Sequence, residues 1–276
     1  TFNTDGTQLA TAGFDNRVCL WSVEMGKPLH SIHADVPILS LVWLPKTGNI
    51  LLCGAQDGSI ASLKIGQDFV DATGGWAHWC PVERLAVEDA HAGRVASGAH
   101  DELYIWAVGQ GEWARLAALP RPTDTLTSKD RNVIVTSIHW MSTEQTLLAT
   151  YMFHGVVLYD TASWSIICAF NVNGVIADAS LRPGDTEIAL SNASLGFDIY
   201  SLKSGSPQYF LPTEVKHRRA IPVLFNHGGN TLVGGSTTGE VFVWEINTRR
   251  RHQTLHLLGK LSVIATDTSH AGPQIT

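Results

Sequence analysis

One device recurs along this chain at a nearly fixed interval, and it limits the fold more than any other feature. A polar turn leads into a short apolar run that ends near an aromatic residue. It is first met as DNRVCLWSV at residues 15–23, and returns as ELYIWAV, GVVLYDT, GFDIYSL and GEVFVWEI. Aligned, these segments place Trp21, Leu63, Trp106, Tyr159, Tyr200 and Trp244 in one equivalent position, at intervals of 42, 43, 53, 41 and 44 residues. The interval fits a repeated four-stranded unit of about 40–45 residues. The single long spacing contains PRPTDTLTSKDRN, residues 120–132, a polar stretch without periodicity that reads as a surface-loop insertion.

Other landmarks keep the same register. A turn and a short apolar strand precede each central position: DGTQLATAG, KTGNILLCG, HAGRVASG, STEQTLLAT, PGDTEIALS and HGGNTLVGG. Their Gly, Asn and Asp residues supply tight reversals. Further upstream, VPILSLVW, CPVERLAV and IPVLFN each carry proline second. Proline cannot donate to a ladder, so that end belongs at an unpaired sheet edge. A looser fourth strand follows each centre, as in KPLHSIH, WARLAAL and WSIICAF. A strand with one wet face alternates; the run Val18-Cys19-Leu20-Trp21 does not, which predicts cover on both faces. The runs are short and rich in β-branched and aromatic residues, which argues against buried helices. Sheets packed on both sides by similar sheets are the blades of a β-propeller.

The chain's 276 residues, 44% hydrophobic and 16% charged, allow a large core. A net charge of −6 argues against a protein dedicated to nucleic acid or to an anionic membrane. Cys19, Cys53, Cys80 and Cys168 lie far apart without a CxxC pair, as expected of reduced thiols inside a cell, in the cytoplasm or nucleus. No apolar run reaches the roughly 18 residues that span a bilayer. The opening TFNTDG reads as the end of a strand and a turn, so the expectation is a chain truncated at both ends.

Over essentially its whole length the chain resembles the WD-repeat β-propeller family. That family's repeat carries a His before the first strand, a Ser or Thr in the second, an Asp in the following turn and a Trp in the third, joined in a structural hydrogen-bond network. Thr11, Asp15 and Trp21 match in the first repeat; His33 and Asp57 in the second, where Leu63 replaces Trp. His78, Ser97 and Trp106 match in the third, with Asp101 one residue closer to the Trp than the pattern sets. His217, Ser236 and Trp244 match in the sixth, with Thr238 in place of Asp; the fourth and fifth carry Tyr159 and Tyr200. The resemblance implies an all-β domain over 1–276 with repeats at roughly 1–33, 34–75, 76–120, 133–172, 173–213 and 214–258. The partial unit 259–276 would begin a seventh blade of an incomplete ring, leaving exposed edges on the first repeat and on that unit.

No catalytic signature appears: GxGxxG after a strand, GxxxxGK[ST], HExxH and GxSxG are all missing from the sequence. His252 and His256 lie in a predicted strand, where their spacing separates them by ~13 Å, too far to share a metal. The expected strand starts Pro37, Pro81, Val133, Val175, Pro222 and Leu261 bring no converging acids or ligands. No cofactor is expected. The sequon at Asn192 reads as incidental. Surface loops remain. The resemblance places partner binding on the face holding the loops into each first strand. There GGWAHWC puts Trp76, His78 and Trp79 in a loop, either as interface anchors or as a plug between blades. The cluster Lys216, His217, Arg218 and Arg219 could grip an acidic peptide or phosphate, and a solvated loop is its plain reading. The insertion 120–132 reads either as a docking segment or as tolerated length. The expectation is therefore a non-catalytic scaffold for protein or peptide partners. Nucleic-acid or chromatin binding through 216–219 is the alternative.

Overall fold

Turn-bounded apolar runs become antiparallel strands, and each repeat becomes one sheet. The structure is a computed structural model that describes the chain except residues 46, 89–92, 109–112, 125–127, 129–130, 143–144, 194, 214–219 and 257–276. The expected partial unit 259–276 therefore lies outside the described residues. Residues Thr1–Pro120 form one compact unit, and the described residues from Arg121 onward form a second.

In the first unit, β1 (Gln8–Ala12), β2 (Arg17–Ser22) and β3 (Lys27–His33) make a three-stranded sheet. A four-stranded sheet follows, of β4 (Ile38–Trp43), β5 (Ile50–Ala55), β6 (Ser59–Ile65) and β7 (Val70–Trp76). The next comprises β8 (Arg84–Val87), β9 (Arg94–Ala99), β10 (Glu102–Val108) and β11 (Trp113–Ala118). The second unit opens with β12 (Val135–Trp140), β13 (Thr146–Tyr151), β14 (Gly155–Asp160) and β15 (Ile166–Phe170). It continues with β16 (Ile176–Leu181), β17 (Glu187–Asn192), β18 (Gly196–Ser201) and β19 (Ser206–Pro212). Its last sheet holds β20 (Val223–Asn226), β21 (Thr231–Gly234), β22 (Glu240–Glu245) and β23 (Arg250–His256). Every sheet is an up-and-down meander of chain neighbours, and one short 3-10 turn at His227–Gly229 is the helical content among the described residues.

Pro37, Pro81 and Pro222 stand just ahead of β4, β8 and β20 rather than within them. Lacking an N–H, proline acts there as an acceptor alone: Pro37 O takes the Gln56 amide at 2.9 Å and Pro222 O the Gly235 amide at 3.0 Å. In four of the five four-stranded sheets the deepest burial falls on the second strand. In β13 all six residues are buried, and in β5, β9 and β17 all but the first.

A bulge marks the central aromatic. The pairing of third strand to last strand slips at Leu20/Trp21, Ile105/Trp106, Leu158/Tyr159, Ile199/Tyr200 and Val243/Trp244. The β6–β7 ladder, with Leu63 at the equivalent position, runs without a slip. An extra residue on the outer strand widens the ladder where a large ring must be seated, and Leu63 needs no such space.

The first sheet corrects one expectation. Ala10, Val18 and Leu20 are buried against Ile38, Trp43, Leu51 and Cys53 of the next sheet. Cys19 and Trp21, on the other face of β2, are only half-buried. This sheet ends the stack of its unit, so an apolar run there is covered on one side. Its inner strand is represented by Phe2, bridged antiparallel to Leu9, with the Ala10 amide donating to Thr1 O at 2.8 Å. Thr11 and Ala12 beyond it are exposed.

Candidate functional site

Trp76 is the last residue of β7, paired with Ser59, and not part of a loop as the sequence predicts. The chain then turns through Ala77, His78, Trp79 and Cys80 toward β8. Two groups pin this turn. Gly58 O accepts the amides of Ala77 at 3.1 Å and His78 at 2.9 Å, and Glu102 Oε2 accepts the Trp79 amide at 3.2 Å. Gly58 adopts φ +87°, and a Cβ built on it would collide with the His78 carbonyl oxygen. A glycine is required by both the conformation and the approach.

His78 points inward and is fully buried. Its Nδ1 lies 3.0 Å from Glu102 Oε2, its Nε2 2.6 Å from Ser97 Oγ, and the Trp106 indole N–H donates to the same Ser97 oxygen at 2.7 Å. One proton arrangement satisfies every partner: indole N–H to Ser97 Oγ, Ser97 O–H to Nε2, and Nδ1–H to the Glu102 carboxylate. Burial holds the His78 pKa below its ordinary value, against the pull of Glu102, so the imidazole is neutral at neutral pH. Its ring stacks on Tyr104 at 4.6 Å, and Tyr104 O–H donates to Glu102 Oε1 at 2.9 Å. His78 is therefore a structural post. As a partner-contacting residue it is corrected by its burial.

Ser97→Ala removes the hinge of this network and leaves the His78 and Trp106 nitrogens short of a buried partner. We expect it to cost about 1–3 kcal/mol, read as a lower urea midpoint in equilibrium unfolding; an unchanged midpoint would contradict the network.

The tryptophans on either side of the post point outward. Trp76 is 58% and Trp79 82% exposed, and their rings meet edge to face with centroids 4.5 Å apart at 76°. The plugging alternative does not describe such exposure. Glu102 was missed in the sequence because the pattern sets the acid elsewhere: Asp101 lies next to His100 Nδ1, at 3.4 Å, and Glu102 holds His78.

The remaining expected positions divide by sheet. Trp21 Nε1–H donates to Thr11 Oγ1 at 3.0 Å. Asp15 and Asp57 cap their own turns, accepting the amides of Arg17 at 3.3 Å and Ser59 at 3.0 Å. His33 is exposed, with Nδ1 2.8 Å from the neighbouring Ala34 carbonyl oxygen, and has no part in an indole network. Tyr159 pairs its hydroxyl with that of Tyr151 at 2.7 Å, and burial pushes its pKa up to about 12. Tyr200 stacks on Phe170 of the preceding sheet at 6.0 Å. Ser236 does not reach the indole of Trp244; its Oγ turns to Thr238 Oγ1 at 3.0 Å and the Glu240 amide at 2.8 Å. The cluster Lys216, His217, Arg218 and Arg219 lies outside the described residues. The insertion 120–132 is described in part: Pro122 and Ser128 are buried, and Asp124 Oδ1 is 3.2 Å from Nε2 of the buried His154. Those contacts tie the insertion to the β13–β14 turn.

Among the described residues no group of three or more His, Cys, Asp or Glu side chains is placed to hold a metal, and no helix is long and apolar enough to cross a membrane.

Serial antiparallel meanders of this size, packed face to face within each unit and seating an aromatic at the same strand position in all but the second, are propeller blades. The family model for the WD domain, G-beta repeat, matches residues 1–22, and together with the six blades it supports a WD-repeat propeller. No curated protein gives a significant match to the chain. Propellers of this family generally serve as scaffolds for protein interactions.

Proposed function

We propose that this chain is a non-catalytic scaffold or adaptor that binds protein or peptide partners, and that Trp76 and Trp79 anchor one such partner. The observation that carries this reading is two large aromatic side chains held in solvent on a backbone fixed from beneath by Gly58, Glu102 and the buried His78. Exposed aromatics on a rigid mount make strong interface anchors, because little conformational freedom is lost when they are covered. The four cysteines are unpaired, which fits a reducing compartment, cytoplasm or nucleus.

The double variant Trp76→Ala/Trp79→Ala tests the reading. Its urea midpoint should match the parent's, since exposed side chains contribute within about 0.5 kcal/mol to folding. Capture of protein partners from cell extract by the immobilised chain should weaken by about 30-fold or more, the loss of at least one interface hot spot. An identical set of captured proteins at identical yield would overturn it.

A further inference from the structure

The surroundings of the tryptophan pair carry information about what it takes, on the footing that it is a partner site. Residues 57–59, 74–84 and 97–104 build this corner, and they hold Asp57, Glu83, Asp101 and Glu102 against Arg84, with Arg115 laid over the Tyr104 ring at 4.9 Å as a second cation beneath it. Asp57 and Glu83 are exposed. Asp57 Oδ1 accepts from Ser59, the strand partner of Trp76, and Glu102 accepts from the Trp79 amide. Arg84 Nη1 turns back to the Glu83 carbonyl oxygen at 2.9 Å. Cys80 directly follows Trp79. Its thiol pKa is raised first by burial, and next by the negative charges of Glu102, Asp101 and Glu83.

We infer that the Trp76–Trp79 corner receives an arginine or lysine side chain from a basic segment of a partner protein. The perpendicular rings, meeting edge to face, leave indole surface open in two orientations, and the negative face of an indole attracts a cation. Beside the same rings the exposed Glu83 lies four residues beyond Trp79, and Glu102 holds the Trp79 amide at 3.2 Å, so the corner offers a cation negative charge as well as indole. An apolar anchor would satisfy the rings but would strip water from the adjacent carboxylates without replacing it, at a cost in affinity. A cation satisfies rings and carboxylates together. The chain's net charge of −6 steers such a segment inward.

The test uses the full chain and three fluorescently labelled peptides of equal length, in which glycine alternates with arginine and lysine, with glutamine, or with glutamate. Fluorescence anisotropy should show binding of the basic peptide alone, weakening as salt rises toward a Debye length of about 8 Å. Trp79→Ala should weaken it by about tenfold, and Glu83→Gln, which keeps the shape and removes the charge, by about threefold. Equal binding of the glutamine peptide, or unchanged binding of the basic peptide by Trp76→Ala/Trp79→Ala, would overturn the inference. If the parent chain ignores the basic peptide while the double variant still loses captured partners, the cation reading falls and the anchor reading stands. If neither readout responds to the tryptophans, both fall.

Discussion

Phe197→Ala is expected to destabilise the second unit by about 3–5 kcal/mol, a large share of the roughly 5–15 kcal/mol that a folded domain commands. Phe197 is fully buried on β18, between Ser191 on β17 and Leu211 on β19. Its ring crosses to the next sheet and meets the Trp244 indole at 5.3 Å and 69°. Opposite lies Gly234 at the end of β21, where a methyl group would drive into the far edge of the phenyl ring. The glycine is the socket and Phe197 the projection that fills it. Truncation removes the ring from a cluster that also contains Ile199, Leu211, Ile221, Val223, Phe225 and Phe242. These side chains belong to two sheets whose spacing is fixed by the rest of their ladders, so they cannot close the hole. The measurement is equilibrium urea unfolding followed by circular dichroism. The midpoint should fall with little change in slope, as for a stability loss without a new denatured state. A shift below about 1 kcal/mol would mean that the fifth and sixth sheets do not depend on this contact.

The same contact separates what a sequence displays from what it conceals. Repeat spacing, turn chemistry and the apolar third strand are local properties of the chain, and they locate Trp21, Leu63, Trp106, Tyr159, Tyr200 and Trp244 on equivalent strands. Which face of a strand is covered depends on neighbours distant in sequence. Val18 and Cys19 read alike as apolar residues, yet the sheet that buries Val18 leaves Cys19 half-exposed. The acid that completes the His78 network was hidden for a different reason. Ala99 pairs directly with Glu102, so the β9–β10 reversal spends just His100 and Asp101, with His100 at φ +54°. A loop that tight carries Asp101 past the inward position and leaves Glu102 to face His78. The first sheet has a longer reversal, from Ala12 to its partner Val18, and there Asp15 does cap the turn. Loop length, set by two residues, decides which carboxylate serves, and a pattern built on residue types cannot register it. The exposure of Trp76 and Trp79 is likewise illegible in the sequence, where an aromatic-rich turn reads as an anchor or, more readily, as a plug; in the structure Gly58 and Glu102 hold the backbone and both rings are exposed.

Gly58→Ala should separate the mount from the aromatic pair. At φ +87° an L-residue carries a backbone penalty of about 1–2 kcal/mol. The new methyl also collides with the His78 carbonyl, which is backbone and cannot swing aside as a flexible side chain would. Relief requires the turn to lift, and lifting breaks the paired hydrogen bonds from Ala77 and His78 to Gly58 O, each worth about 1 kcal/mol. The sum is a loss of about 3 kcal/mol or more. Because the turn carries Trp76, His78 and Trp79 on one short span, its displacement should also lower the protection of the Ala77 and His78 amides against hydrogen exchange, while the amides of β13 and β17 in the other unit keep theirs. Trp76→Ala/Trp79→Ala should do the reverse, sparing exchange and stability while removing partner binding. A Gly58→Ala chain with unaltered exchange at 77 and 78 would show that the turn holds its shape without the glycine, and the rigid mount on which the anchor reading relies would go with it.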